Sequence, residues 1–538
     1  MQSELGSREP ILRGDVQRAF QPWYPSDPDK PPKFLPIFAV VTLSTTLSKP
    51  SFTMLILALV ALGVFWLYRF NSALRSTPEE ARKFSPKRWT KEQVKEAYEN
   101  VKKNPINFLK HVPPAQERRY IIVGGSGLVG GDIVLQLLER GQSPSSIRIL
   151  DFAPITRDDM LPKTSACDFV QTDITSIPSV EAAFSKPWPP SVSHLPLTVF
   201  HTAAVIRPQE RHPLLYSRVS RVNRDGAIIV LNTAKKQHHN CDIFIATSSG
   251  SVSITPTRFI PTWPWQSHPA GYFQLCNESD FDLPLRPHSH FFANYARSKA
   301  EAERAICSAN TANFRTGCLR PGNAIYGQKT DPLVGNILRE GEYIAFTPQV
   351  IQSFVYSRNV SLAHLQFEAA LLPSPSGTAP PACAGRPFVI TDAGPPITFR
   401  DMALACETLS DAKFAYSEAS PLIIHAIAHV MEFWSLLLAR APFLTRWFGW
   451  KEAKGPIGML QPAVLNVGIH SVVDDSKARR RVEEGGIGYT PVASTLEGIS
   501  MQISEFNEDV RAGRIKGVGL REGKKMAMVA EEAGALAS

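Results

Sequence analysis

The sequence predicts an α/β protein: a Rossmann-type doubly wound parallel sheet, a smaller C-terminal substrate-binding part and an N-terminal transmembrane helix. Three observations predict it. "RRYIIVGGSGLVGGDIVLQLLERG", residues 118–141, reads as a short β-branched strand, a glycine-rich turn and a helix closed by Gly141. "SIRILDF", "LTVFHTAAV" and "DIFIATSSG" are further short apolar runs with helical patterns between them, the alternation of a parallel sheet. Residues 51–68 carry no charge and are just long enough to cross a bilayer as a helix.

Taken in order, residues 1–33 are polar and proline-containing and are expected to be a disordered tail. Residues 34–70 are expected to anchor the chain in a membrane, as one span or with "FLPIFAVVTLSTTL" as part of a hairpin. Trp66 and Tyr68 suit the interface, and Arg69, Arg75, Arg82, Lys83, Lys87 and Arg88 follow, which puts the rest of the chain on the cytoplasmic side. Residues 71–115 are charged and helix-prone and read as a stalk. Residues 116–320 read as the domain built on the strand–helix alternation, residues 321–505 as the smaller C-terminal part, and residues 506–538 as a tail. Residues 422–450 are apolar but contain His425, His429, Glu432 and Arg440, which suits an interfacial helix better than a span.

The 538 residues leave room for two or three units. Hydrophobic residues at 43% and charged residues at 20% exclude a disordered chain. The net charge of +9 comes without a basic run, so no nucleic-acid partner is expected. Seven scattered cysteines with no CxxC pair argue against a disulfide framework or a zinc ribbon, and no metal site is expected.

Gly124, Gly127 and Gly130 form a G-x-x-G-x-x-G turn between strand and helix. Glycine there lets backbone amides approach a pyrophosphate at the helix N-terminus. Asp151 ends the next strand about twenty residues on, where a carboxylate accepts hydrogen bonds from ribose hydroxyls and repels a 2′-phosphate. NAD is therefore expected; Arg157 nearby keeps NADP open. Leu128 and Val129 in the turn, Asp173 and Ile174 after "FVQT", and Ala203 and Ala204 at a strand end complete the expected cofactor contacts.

Tyr295 and Lys299 in "NYARSK" are one helical turn apart on one face. An ammonium beside a phenol lowers its pKa, and the phenolate takes the proton of an alcohol as hydride leaves carbon. "TSSGSV" supplies Ser248, Ser249 and Ser251 to orient that alcohol.

With these pieces in this order the chain resembles the extended short-chain dehydrogenase/reductases, and within them the 3β-hydroxysteroid dehydrogenase/isomerase family with its sterol-4α-carboxylate 3-dehydrogenases. The matching segments include "VGGSGLVGGDIVLQLLERG", "VFHTAA", "RVNRDGAIIVLNTAKK", "ATSSGSV", "NYARSKAEAE" and "CLRPGNAIYG". The resemblance implies that Tyr295 is the general acid/base and Lys299 its activator and a ribose ligand. It implies that Ser249 holds the substrate oxygen, with Ser248 the nearest competitor, and that Asn223 lies near the active site. Pro321, Gly322 and Asn323 would line the nicotinamide pocket.

The expected function is NAD-dependent oxidation of a 3β-hydroxyl on a sterol, steroid or terpenoid, with loss of a neighbouring carboxylate where one is present. Alternatives are a ketoreductase or dehydrogenase of specialised terpenoid or polyketide metabolism, and a membrane-tethered NAD-binding scaffold. Membrane lipid is an expected partner, and a homodimer stays open. Between Ser249 and Tyr295 the chain is longer than the family norm. Trp263, Trp265, Tyr272 and Phe273 in that stretch are candidates for an apolar lid. Asn277-Glu-Ser and Asn359-Val-Ser are glycosylation sequons that stay unmodified on the cytoplasmic side.

Overall fold

The computed structural model describes residues 49–515 except 237–238, 261–262, 264 and 373–379. The expected tail 1–33, the first apolar run and residues 516–538 lie outside the described residues. The chain divides into two units, one ending at Phe65 and the other starting at Trp66.

Helix α1, Lys49–Leu74, contains the uncharged run. In the first unit its Met54, Leu57, Leu59, Leu62 and Val64 are exposed. The same helix enters the second unit, where Phe70 and Leu74 are buried. The helix meets the length and hydropathy expected of a membrane span.

The second unit is built on seven strands: β1 Arg119–Val123, β2 Ile147–Asp151, β3 Asp168–Gln171, β4 Leu197–His201, β5 Cys241–Thr247, β6 Arg315–Pro321 and β7 Arg386–Ile390. Their order in the sheet is β7-β6-β5-β4-β1-β2-β3, all parallel. The order reverses between β1 and β4, and the crevice beyond their C-terminal ends is where such sheets bind ligands.

Both faces are covered, as an all-parallel sheet requires. Tyr120, Ile122, Phe200, Ile245 and Phe388 share one core with Ile133 and Leu137 of helix α3, Leu128–Glu139, and with Phe367 of helix α5, Ser357–Leu371. Ile121, Val123, Val199, Phe244 and Cys318 share the other with Ile306 and Cys307 of helix α4, Asn294–Ser308. The period-2 alternation along each strand is thus read out twice, once on each side.

Three expected divisions of the chain change. Residues 71–115 are not a free stalk. Helix α2, Lys91–Lys103, buries Val94, Tyr98 and Val101, the first two in a core shared with Ile499, Ile503 and Phe506 of helix α7, Thr495–Arg511. Apolar residues at 94, 98 and 101 fall on one face, and that narrow stripe is enough. The expected tail from 506 likewise begins inside α7, whose Phe506 and Val510 are buried. The boundary at 320 is crossed by the sheet itself, because β7 pairs with β6 along its whole length.

A second sheet of four strands joins Phe273–Cys276, Ile351–Gln352, Ile397–Thr398 and His470–Val473. Beyond it, helix α6, Pro421–Arg440, buries Pro421, His425, Ala428, Ser435 and Leu438 along one stripe. Its Ile423, Val430 and Phe433 are exposed, as are Phe443, Trp447 and Phe448 in the turn of helix that follows. Phe70 of α1 lies 5.6 Å from the His425 ring, edge to face.

Candidate active site

The glycine turn leaves β1 at the switch point. Gly124 has φ +83°, and a Cβ there would stand 2.6 Å from the Ala203 amide nitrogen. A Cβ on Gly130 would stand 2.3 Å from the Gly124 carbonyl oxygen. Both positions require glycine for close approach of backbone to backbone. Gly127 precedes α3, whose first-turn N–H groups have no helical acceptor and are available to a phosphate. These features fit a dinucleotide.

Asp151 ends β2, with Oδ2 accepting from Ser126 N at 3.0 Å and Oδ1 from Ala153 N at 3.1 Å. Each oxygen keeps a second lone pair. Arg157, the residue that kept NADP open, is fully committed. Its Nε donates to Asp159, its Nη1 to the carbonyls of Gly127 and Leu128, and its Nη2 to Asp132 at 2.6 Å and Asp159 at 2.7 Å. A guanidinium has five N–H groups, and here all are used inside the fold.

The other expected contacts differ in kind. Asp173 is exposed and closes its own turn, accepting from Thr175 N and Oγ1. Ile174 is buried against Gly226, and Val129 is buried in the core, so a cofactor would meet Val129 through backbone. Ala203 N donates to Val123 O at 3.0 Å, and Ala204 is exposed beside it. Pro321 is buried at the end of β6. Gly322 sits where a Cβ would be 2.5 Å from Ser353 O, and Asn323 Nδ2 donates to Gln352 Oε1 at 2.9 Å.

Ser249, Tyr295 and Lys299 come together. Ser249 follows β5, its hydroxyl near enough to the Tyr295 phenol to act on its ionisation, while Lys299 Nζ donates to Thr247 O at 2.8 Å. Ser248, the competitor, has a buried hydroxyl with no hydrogen-bond partner among the described residues. The electrostatics correct one expectation. Burial pushes the Tyr295 phenol up to about 12, with the nearby Ser249 hydroxyl pulling the other way. Burial pulls the Lys299 ammonium down to about 8. Desolvation thus outweighs any lowering of the phenol by Lys299, whose charge is turned to the Thr247 carbonyl.

Asn223 lies in a π-helical turn, Arg221–Gly226. Its Oδ1 accepts from Val205 N at 2.8 Å, and its Nδ2 donates to Val205 O at 3.0 Å and Ser298 Oγ at 3.1 Å. Ser298 Oγ in turn donates to Tyr295 O at 2.8 Å. The amide therefore holds the loop after β4 against the turn that carries Tyr295. Thr247 and Ser298 were not singled out by sequence; the only available signal was their place at a strand end and one turn along from Tyr295.

The proposed lid residues behave differently from one another. Trp263 and Trp265 are exposed and stacked at 5.2 Å. Tyr272 is buried, its hydroxyl donating to Leu74 O at 2.7 Å. The apolar surface in this region comes instead from Phe259, Ile260, Phe291 and Phe292, which line a cavity of about 680 Å³.

Comparison with known proteins places this geometry. Residues 121–260 and 275–412 match the 3-beta hydroxysteroid dehydrogenase/isomerase family. A 3beta-hydroxysteroid-dehydrogenase/decarboxylase (isoform 2) of Arabidopsis thaliana is 24% identical over 411 residues, covering 73% of this chain and 62% of that protein. The sterol-4-alpha-carboxylate 3-dehydrogenase, decarboxylating, of Schizosaccharomyces pombe is 27% identical over 291 residues, covering 53% of this chain and 73% of that one. Among solved structures, a UDP-glucose 4-epimerase of Thermotoga maritima gives a TM-score of 0.45 at 17% identity, over 73% of this chain and 99% of that chain.

Proposed function

The chain belongs to the 3-beta hydroxysteroid dehydrogenase/isomerase family, and from that premise we propose that it oxidises a ring hydroxyl of a sterol or steroid-like substrate to the ketone. The cofactor is NAD(P), which when bound supplies the hydride acceptor. The observation that carries the reading is the Ser249–Tyr295–Lys299 constellation at the C-terminal end of β5, beside a glycine turn built for a dinucleotide.

In this reading the Ser249 hydroxyl orients the substrate alcohol and Tyr295 Oη takes its proton. Lys299, held by Thr247, keeps two N–H groups for a ribose and for the phenolate as it forms. Asn223 is a positioning residue, acting through Ser298 on the Tyr295 turn. Asp151 offers carboxylate lone pairs to ribose hydroxyls. The saturated Arg157 leaves no guanidinium donor for a 2′-phosphate, which supports NAD over NADP. Where a carboxyl sits on the carbon beside the new ketone, the product is a β-keto acid, and loss of carbon dioxide needs no further protein group.

The second unit would sit on the cytoplasmic side of a sterol-handling membrane such as the endoplasmic reticulum. The exposed apolar residues of α1 and α6 and the basic residues following α1 support this placement.

The test is incubation of the detergent-solubilised chain with NAD or NADP and a sterol panel, with and without 4-carboxylates, with products read by mass spectrometry. Tyr295→Phe should lower turnover by about 10²- to 10⁴-fold. Unchanged turnover in that variant would sink the mechanism.

A further inference from the structure

The cavity of about 680 Å³ lies between residues 256–260, residues 288–292, helix α6 and residues 462–466. That volume is of the size that encloses a ligand of a few tens of heavy atoms. Ser249, Tyr295 and Lys299 do not line it, nor does any residue of the glycine turn. One wall nevertheless runs straight into the catalytic helix: His288 Nε2 is hydrogen bonded to Asn294 Oδ1 at 2.8 Å, and Asn294 begins α4. Two of the walls, His429 on α6 and residues 462–466, lie outside the segments that match the family.

The walls are mostly apolar: Phe259, Ile260, Phe291, Phe292, Leu465 and three prolines. Four side chains bring basic groups, and their commitments differ. Arg211 is spent on Glu432, Nε to Oε1 at 2.7 Å and Nη2 to Oε2 at 2.8 Å. His288 is held by Asn294, and burial keeps its imidazole below the usual range. His429 gives Nδ1 to His425 O at 2.8 Å. Arg258 is exposed to solvent and has no protein partner for its guanidinium among the described residues, and no carboxylate is among the lining residues.

The base of Arg258 is fixed. Its backbone N–H donates to Ala270 O at 2.9 Å, and the N–H of Thr257 donates to Asn466 Oδ1 at 2.7 Å. An unspent guanidinium on a fixed strand-like base, beside an apolar chamber without acid groups, is matched by one carboxylate attached to an apolar body. The outer face of α6 is exposed and apolar, so its inner wall bounds a chamber next to a surface suited to lipid.

We infer that this cavity binds an amphipathic carboxylate, its apolar body against Phe259, Phe291 and Leu465 and its carboxylate on Arg258. Such a carboxylate has two sources: the far end of the oxidised substrate itself, or a separate lipid acid.

The experiment uses the full chain in nanodiscs without NAD, and titrates a steroid carboxylic acid, its methyl ester and a C16 fatty acid, with tryptophan fluorescence as readout. The steroid acid should bind at least tenfold more tightly than its ester. Arg258→Ala should weaken the acid by about tenfold and leave the ester unchanged, and Arg258→Lys should recover part of the loss. Leu465→Trp, which fills the chamber, should weaken both. Equal binding of acid and ester to the parent chain, or an acid affinity indifferent to Arg258→Ala, overturns the inference. Competition during turnover separates the sources: an acid that raises KM alone occupies the substrate's path, and one that changes kcat occupies a separate site. Because binding is measured without hydride transfer, the result stands apart from that of the Tyr295→Phe test.

Discussion

At the scale of single residues, the site is set by approaches too close for any side chain. Gly130 has the Gly124 carbonyl oxygen 2.3 Å and the Thr202 hydroxyl 2.7 Å from where a Cβ would be. Gly130→Ala must push the turn away from β4 and take the first-turn amides of α3 with it. NAD affinity should fall about tenfold or more, read by titration of NADH fluorescence, while the melting temperature moves little. An unchanged affinity would mean that this turn does not hold the cofactor. These glycines were legible in the sequence because the constraint is local, three positions apart on one turn. The state of the Tyr295 phenol was not. A helical spacing of four places Lys299 near Tyr295 but says nothing of the burial that raises the phenol or of the Thr247 carbonyl that takes the ammonium.

At the scale of elements, one buried arginine joins three pieces of chain. Arg320, at the end of β6, donates from Nε and Nη2 to the two oxygens of Glu303 on α4 at 2.8 and 2.6 Å. Its Nη1 reaches Asp280 at 2.5 Å and Ser253 Oγ at 3.0 Å. The Arg320 and Glu303 side chains are each 1% exposed. Arg320→Met would leave Glu303 buried without its partner, a loss of about 3–5 kcal/mol. Urea unfolding should show that loss, and recovery by a further Glu303→Leu would identify the stranded carboxylate as its cause. Nothing in the sequence pointed to this cluster, since its members are brought together only by the crossing of β6 and α4. The parallel sheet, by contrast, was legible because each strand is a short apolar run between turn signals. The stripe of α2 was missed because three buried positions in a charged helix look like a solvated surface.

For the whole molecule, acid is the expected weak point. His201, His364 and His470 are buried, and burial lowers their pKa values to about 3, 4 and 3. Unfolded, each binds a proton below about 6.5. The unfolded chain therefore takes up more protons as pH falls, and the stability these groups allow is complete above that value. It is lost progressively as pH falls from about 6.5 toward 3, by up to about 1.4 kcal/mol per pH unit for each histidine. Denaturant midpoints should hold level from pH 7.5 to about 6.5 and fall steadily from there to pH 5, and a profile flat throughout would mean these rings are protonated in the native state. Topology is readable from one sequon only: Asn359 is fully buried and bonded to Asp392, which leaves Asn277 as the reporter.

The family match breaks off between residues 260 and 275, and the structure shows why that gap is tolerable. The chain is pinned before the gap by Thr257 on Asn466. It is closed across the gap by the bridge between Arg258 and Ala270, and pinned after it by the strand Phe273–Cys276 paired with His470–Val473. A loop clamped at its root can change length and composition at its tip for little closure entropy, and none of the clamps is a residue of the Tyr295 site. A change of length or composition between those clamps therefore need not reach the residues around Tyr295.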